Sequence, residues 1–316
     1  MNKMSVKKKY FCTREWGFGS NIVNYLKSAL FCHQNNYELI LQDRHNSIGK
    51  EFELFSVIEL PVFVNRTKTK TTIPVEDVKT FVKFNISEKY SIREKFLYSF
   101  FYLTGFKSRF FIKNFNHDSE INSFFSSNYS KSGENSMKLC WKYNSKTNDI
   151  FKNLEQDFNC QDFQPNLSIQ IRGGDKIEES LILGVKHALV DDYLIICVEE
   201  LKKIDKANVK VYVMTDTYSY FKLIKERLEE FYPNADIRSF ANPNQEGHLQ
   251  ADFNALGIKT KIDSYYFFLF ELEMLRKATV CVGSFNSNIF YLGSLIRYEQ
   301  TNAFISVDST FENSFL

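Results

Sequence analysis

The chain has 316 residues, a formal net charge of +2, and 44% hydrophobic and 25% charged residues. That length suits two domains of ordinary size, and the composition excludes long disordered stretches. The balanced charge argues against a dedicated nucleic-acid binder, which carries a strongly basic face.

The N-terminus carries Lys7-Lys8-Lys9. No apolar stretch follows to make a signal peptide, and no run of about 20 apolar residues could span a bilayer. The chain is read as cytoplasmic. The lysine triplet and Arg66-Thr67-Lys68-Thr69-Lys70 read as solvated surface turns, with an acidic partner or a membrane surface as the alternative. Cys12, Cys32, Cys140, Cys160, Cys197 and Cys281 form no CxxC pair and no metal-ligand spacing. Free, buried thiols in a reducing compartment are expected.

Gly17-Phe18-Gly19-Ser20 precedes a helical pattern of Ile22, Leu26, Ala29 and Leu30, and a short strand follows at Tyr37 to Leu41. Residues 45–90 carry no clear period. The aromatic run Phe96 to Leu103, with Lys107, Arg109 and Lys113 after it, reads as a core helix with a basic end. Peripheral membrane contact through an amphipathic helix is the alternative. The polar stretch from Ser126 to Lys138 reads as a linker, which divides the chain into an α/β domain over 1–138 and a second domain over 139–316.

A helix is expected around Asp149 to Phe158, and the pattern then becomes regular. Strands are expected at Leu167–Arg172, Val209–Met214, Asp236–Phe240 and Thr279–Val282, with helices at Val190–Lys203 and Phe221–Phe231. Asp263-Ser264 reads as the cap of a long helix ending at Lys277, and Ser284 to Ser287 as the cap of another ending at Leu295. Strands alternating with helices imply a doubly wound parallel sheet, whose ligands bind at the carboxyl ends of the strands.

Three strand ends carry candidate chemistry. In Arg172-Gly173-Gly174-Asp175-Lys176 the glycines permit a sharp turn and close approach of a ligand. Arg172 offers a planar fork for a diphosphate, Lys176 a second positive charge, and Asp175 a partner to orient Arg172. A strand-to-helix turn with a surface ion pair explains the same residues. Asp216 follows the next strand, as a hydroxyl-binding carboxylate or a helix N-cap. In Ser284-Phe285-Asn286-Ser287 small polar residues open a helix, an arrangement that suits phosphate. Glu271 and Glu273 lie in an apolar helix, where a carboxylate needs a partner.

Taken in order, these segments resemble the α-1,6-fucosyltransferase group, which contains the core-fucosylation enzyme and the rhizobial nodulation fucosyltransferase. The likeness rests on Gly17 to Ser20, on Trp141 to Phe158, on Ile171 to Lys176, on Val211 to Thr217, on Gly247 to Asn254, and on Glu271 to Asn288. It implies a GT-B-like α/β fold with two Rossmann-like domains, the acceptor side in 1–138 and the nucleotide-sugar site in 139–316. It also implies inverting, metal-independent transfer of fucose from GDP-fucose to a glycan hydroxyl, with no cofactor.

By the same resemblance Arg172 binds the β-phosphate with Lys176 nearby, and Asp216 and Glu271 hold the nucleoside. Ser287 and the backbone near Phe285 complete the diphosphate pocket. This sequence departs from the group at Gly173, where a second arginine is usual, and at Gln170, where a histidine is usual. It departs again at Ser180, where the catalytic glutamate falls, which leaves Glu179 and Glu178 as candidate bases with Glu179 favoured. Transfer of another sugar, or a non-catalytic nucleotide- or sugar-binding role on the same fold, are the alternatives.

Overall fold

The computed structural model describes residues 7–13, 17–42, 48, 52–66, 73–74, 111–112, 139–182, 187–204, 209–296 and 303–308. Near the N-terminus β1 (Lys8–Cys12), α1 (Phe18–Gln34), β2 (Glu38–Gln42) and β3 (Val64–Arg66) form a parallel sheet with β2 in the centre. Lys8 and Lys9 therefore lie in a strand and not in the surface turn expected from their charge. Lys8 pairs with Glu38 at 3.3 Å, and the Lys9 ammonium sits 5.3 Å from the Tyr37 ring. Short β4 (Ile73–Pro74) and β5 (Phe111–Ile112) pair in parallel. Most of the expected aromatic helix lies outside the described residues, and its last part is strand.

The C-terminal half contains α2 (Ser145–Asp157), β6 (Leu167–Ile171), α3 (Asp175–Ile182), α4 (Val190–Leu201), β7 (Lys210–Thr215), α5 (Tyr218–Phe231) and β8 (Asp236–Arg238). It continues with α6 (Gln250–Ala255), α7 (Ile258–Lys277), β9 (Val280–Gly283), α8 (Asn288–Leu295) and β10 (Ala303–Ser306). The all-parallel sheet runs β10-β9-β6-β7-β8. The chain starts at the centre, moves outward to β8, then returns to the other side of β6. This is the doubly wound order, and its topological switch point lies between β6 and β9.

Helix α7 begins at Ile258 behind Gly257, so Asp263 and Ser264 lie inside it and do not cap it. The hydrophobic period there starts earlier than the polar pair suggests. Asn144 caps α2, its side chain accepting from Thr147 N–H at 2.9 Å.

Two cores hold the fold. One lies on the outer face of the C-terminal sheet, where Ile169, Ile171, Val211 and Val213 pack on Tyr193, Cys197, Ile224 and Leu228. The other runs through both halves, joining Phe11, Tyr25, Phe55 and Trp141 to Tyr265, Phe270 and Phe290. Backbone bonds cross the same seam: Glu59 N–H donates to Lys142 C=O at 2.7 Å and Asn144 N–H to Val57 C=O at 3.1 Å. The six cysteines are free and buried. Among the described residues no helix is long and apolar enough to cross a membrane.

Candidate nucleotide-sugar site

Strand register brings the three polar segments to one edge. Ile171 lies opposite Thr215, and Ile169 opposite Val282, so Arg172, Asp216 and Ser284 emerge together. Side chains alternate along a strand. Ile169 and Ile171 enter the outer core, while Gln170 faces the other way into a cleft that Arg172 and Lys176 also line.

Arg172 is held from two sides. Its Nη2 donates to Asp175 Oδ1 at 3.1 Å and its Nε to Asp216 Oδ2 at 3.3 Å. Asp216 Oδ1 also accepts from Gly173 N–H at 2.8 Å and from Thr217 Oγ1 at 3.1 Å. One carboxylate thus fixes both the guanidinium and the turn beneath it.

The turn has no slack. A Cβ on Gly173 would collide with Thr217 Oγ1, which explains why no side chain stands there. Gly174 and Gly247 adopt φ of 56° and 108° and meet backbone to backbone. A Cβ on Gly247 would come within 2.6 Å of Gly174 Cα. Asp175 N–H then donates to His248 C=O at 3.2 Å and Gly247 N–H to Asp216 C=O at 2.8 Å.

The far wall is the loop from Ser284 into α8. Asp308, just beyond β10, sits in it. Its Oδ2 accepts from Ser284 Oγ and, at 2.9 Å, from Asn286 Nδ2, and its Oδ1 accepts from Ser306 Oγ at 2.8 Å. The Phe285 N–H is taken by Ser306 Oγ at 3.2 Å and the Asn286 N–H by Ser284 Oγ at 3.1 Å.

Two polar atoms in the cleft are left over. Gln170 is 1% exposed and Ser287 4%, and neither Gln170 Oε1 nor Ser287 Oγ has a hydrogen-bond partner. Buried polar atoms are nearly always paired, so both are available to a water or a ligand in the cleft. Ser287 occupies the N-cap position of α8 without making a capping bond. Asn288 beside it donates to Ser20 Oγ at 2.9 Å, so the N-termini of α1 and α8 meet next to the cleft. Helix α1 has no side-chain cap and no acidic residue in its first turn, so nothing within its own first turn offsets its positive end.

Glu271 lies on the β7 side of Arg172. Its Oε1 accepts from Tyr212 Oη at 2.9 Å. Burial lifts its carboxyl to about 7, the Tyr212 hydrogen bond opposes the rise, and the Asp216 charge adds to it. Tyr212 is itself pushed well above the usual phenol range, by burial first and then by the Glu271 charge. Glu273 is neutralised by Arg276 at 2.6 Å, which accounts for the second carboxylate in that helix.

No known family profile matches the chain, and no curated protein does. Solved structures do match. NodZ α-1,6-fucosyltransferase soaked with GDP-fucose is 11% identical, with 92% of this chain and 93% of that chain covered and a TM-score of 0.50. Fucosyltransferase NodZ from Bradyrhizobium is 11% identical over 93% and 94% of the two chains, at a TM-score of 0.51.

The chain shares the fold of NodZ. An Arabidopsis thaliana FUT1 mutant in complex with GDP is 10% identical, covering 93% of this chain and 70% of that one, at a TM-score of 0.50. The GT-B-like α/β architecture expected from the sequence is therefore the one observed.

Of the expected site residues, Arg172, Lys176, Ser284, Asn286 and Ser287 line the cleft together, while Gly173, Gly174 and Asp175 form the turn that carries Arg172 and do not line it. Phe285 is buried against Phe290, 5.1 Å between ring centres, and does not line the cleft, its N–H being taken by Ser306. Asp216 is spent on Arg172, where a nucleoside contact was expected of it. Glu178 is exposed and does not line the cleft, and the Glu179 side chain lies outside the described set. Ser180 donates to Lys176 C=O at 2.8 Å. His187, Tyr193 and Asp308 also line the cleft and were not read from the sequence. No local pattern marks them, since each reaches the site from a different element.

Proposed function

We propose that the protein is a glycosyltransferase that takes fucose from GDP-fucose and passes it, with inversion and without a metal ion, to a glycan hydroxyl. One observation carries this reading. At the switch point of a doubly wound sheet, a guanidinium oriented by two carboxylates faces a helix N-terminus whose buried N-cap hydroxyl has no partner. That geometry suits a departing diphosphate. Negative charge developing on the leaving oxygens meets Arg172, Lys176, Ser287 and the first N–H groups of α8, all in place before the ligand arrives.

Glu271, adjacent to Asp216, is the partner for the guanine edge, since one carboxylate accepts both of its N–H donors. NodZ, which shares the fold, is known in a structure soaked with GDP-fucose, and the Arabidopsis thaliana FUT1 mutant in complex with GDP. The sequence has no Asp-x-Asp triplet, and among the described residues no cluster of His, Cys, Asp or Glu could hold a metal. Arg172 and Lys176 take over the charge neutralisation. The donor side falls in 139–316 and the acceptor side in 1–138.

Thermal shift with GDP, UDP and CDP tests the donor. A ligand bound only by the folded state raises its stability, and GDP should raise it most. A larger shift with UDP would reject the assignment. Activity abolished by EDTA and restored by Mn²⁺ would reject the metal-free reaction.

A further inference from the structure

Inverting transfer needs a proton acceptor for the attacking hydroxyl, and the glutamates expected for it do not supply one among the described side chains. Among the described residues, the titratable groups that line the cleft are Arg172, Lys176, His187, Tyr193 and Asp308. Arginine and lysine are cations at neutral pH. Burial, with Asp308 nearby, holds the Tyr193 phenol firmly protonated. The Asp308 carboxylate is already saturated by Ser284, Asn286 and Ser306. His187 remains. It is half-buried and shares the cleft with Lys176 and Asp308, whose charges both act on it.

We propose that His187 accepts the proton of the attacking hydroxyl, with the Asp308 charge offsetting the positive charge it gains, within the donor site proposed above. Burial holds the imidazole below its usual value; Asp308 opposes this and Lys176 reinforces it, so it is a free base at neutral pH. A neutral imidazole with a carboxylate in the same cleft can take up a proton and have its new charge offset, as a general base requires.

In the step, the acceptor O–H gives its proton to an imidazole nitrogen of His187. The oxygen forms the bond to the anomeric carbon. The bond from that carbon to the β-phosphate oxygen breaks, and its electron pair leaves on GDP, where Arg172 and Lys176 meet the charge. His187 then releases the proton to solvent.

GDP release from GDP-fucose with water as the acceptor tests this, because water must lose the same proton. His187→Ala and the better-packed His187→Gln should both slow release about 100-fold, with GDP binding by thermal shift unchanged. Sodium azide, which attacks with no proton to lose, should restore release in both variants and yield fucosyl azide. The acid limb of the wild-type pH profile should vanish in His187→Gln. Undiminished release in the variants, a loss that azide does not relieve, or an azide-rescued loss in Glu179→Gln instead, would overturn the assignment to His187 alone. A wild-type protein that neither binds GDP nor releases it from GDP-fucose would overturn the donor site and this proposal together.

Discussion

The two strand ends that face each other across the cleft are built on opposite charges. After β6 the centre is a cation, Arg172, clamped by carboxylates from its own turn and from the end of β7, over glycines that touch backbone to backbone. After β9 the centre is an anion, Asp308, to which three side chains donate. The first end is oriented before any ligand arrives, with no room to adjust. The second has spent Ser284 and Asn286 on an internal carboxylate and keeps only Ser287 and the start of α8 for a phosphate. A loop rich in small polar residues is therefore not automatically an open anion receptor. Which donors remain depends on what the next strand brings in.

The largest effect should come from the rigid end. Arg172→Ala should lower turnover by about two to three orders of magnitude, ~3–4 kcal/mol of lost transition-state stabilisation. Arg172→Lys should recover little, since a point charge cannot bridge Asp175 and Asp216 as a fork does. Steady-state kinetics of both variants check this, and near-normal turnover in Arg172→Ala would remove the leaving group from this end of the cleft.

Next comes Gly247→Ala. Its Cβ meets the Gly174 backbone, which cannot move aside like a side chain, at a φ that L-residues rarely adopt. A cost of about 1–3 kcal/mol is expected, read as a lower melting temperature together with weaker GDP binding. An unchanged variant would show that the turn has more slack than its geometry allows.

The second end predicts a split. Ser287→Ala should leave the ligand-free protein as stable as before, because its hydroxyl has no partner to lose, and should weaken GDP binding by about 1 kcal/mol. Ser284→Ala should do the reverse, costing stability with a smaller effect on GDP. Thermal melts with and without GDP separate the two, and matching behaviour would erase the distinction between spent and free donors.

The smallest effect concerns Glu271. Its folded value of about 7 lies above the 4.5 of a free carboxyl. The folded state keeps a proton that the unfolded chain has released, so this site's contribution to stability declines as pH rises from about 4.5 to 7. Glu271→Gln removes that cost. The variant should melt higher than wild type at pH 8, by at most about 5 °C, and level with it at pH 4, while binding GDP more weakly at pH 8. A pH-independent difference in melting would mean that the carboxyl does not titrate in this range.

Much of the C-terminal half was legible because its signals are local. Buried strands at Leu167, Val211 and Val280, and the helix after Ser287, follow from apolar runs and caps that involve neighbours in sequence. The pairing of Arg172 with Asp175 was legible for the same reason, as both belong to one turn. Strands β1 and β10 were among those missed, β1 because it opens on two lysines, β10 because its residues carry no period.

Chain order and hydrophobic period by themselves determined the alternation of strands and helices, and hence a parallel sheet with its ligands at the carboxyl edge. Only the tertiary structure decided what each polar residue does there. Asp216 turned from a candidate nucleoside contact into the clamp on Arg172 because strand register sets Thr215 beside Ile171. Asp308 and His187 entered the cleft because β10 lies beside β9 and α4, which follows His187, packs on β6. Charge and hydrogen-bonding capacity are written in the residue, but the partner that consumes them comes from far along the chain, and only packing brings it within reach.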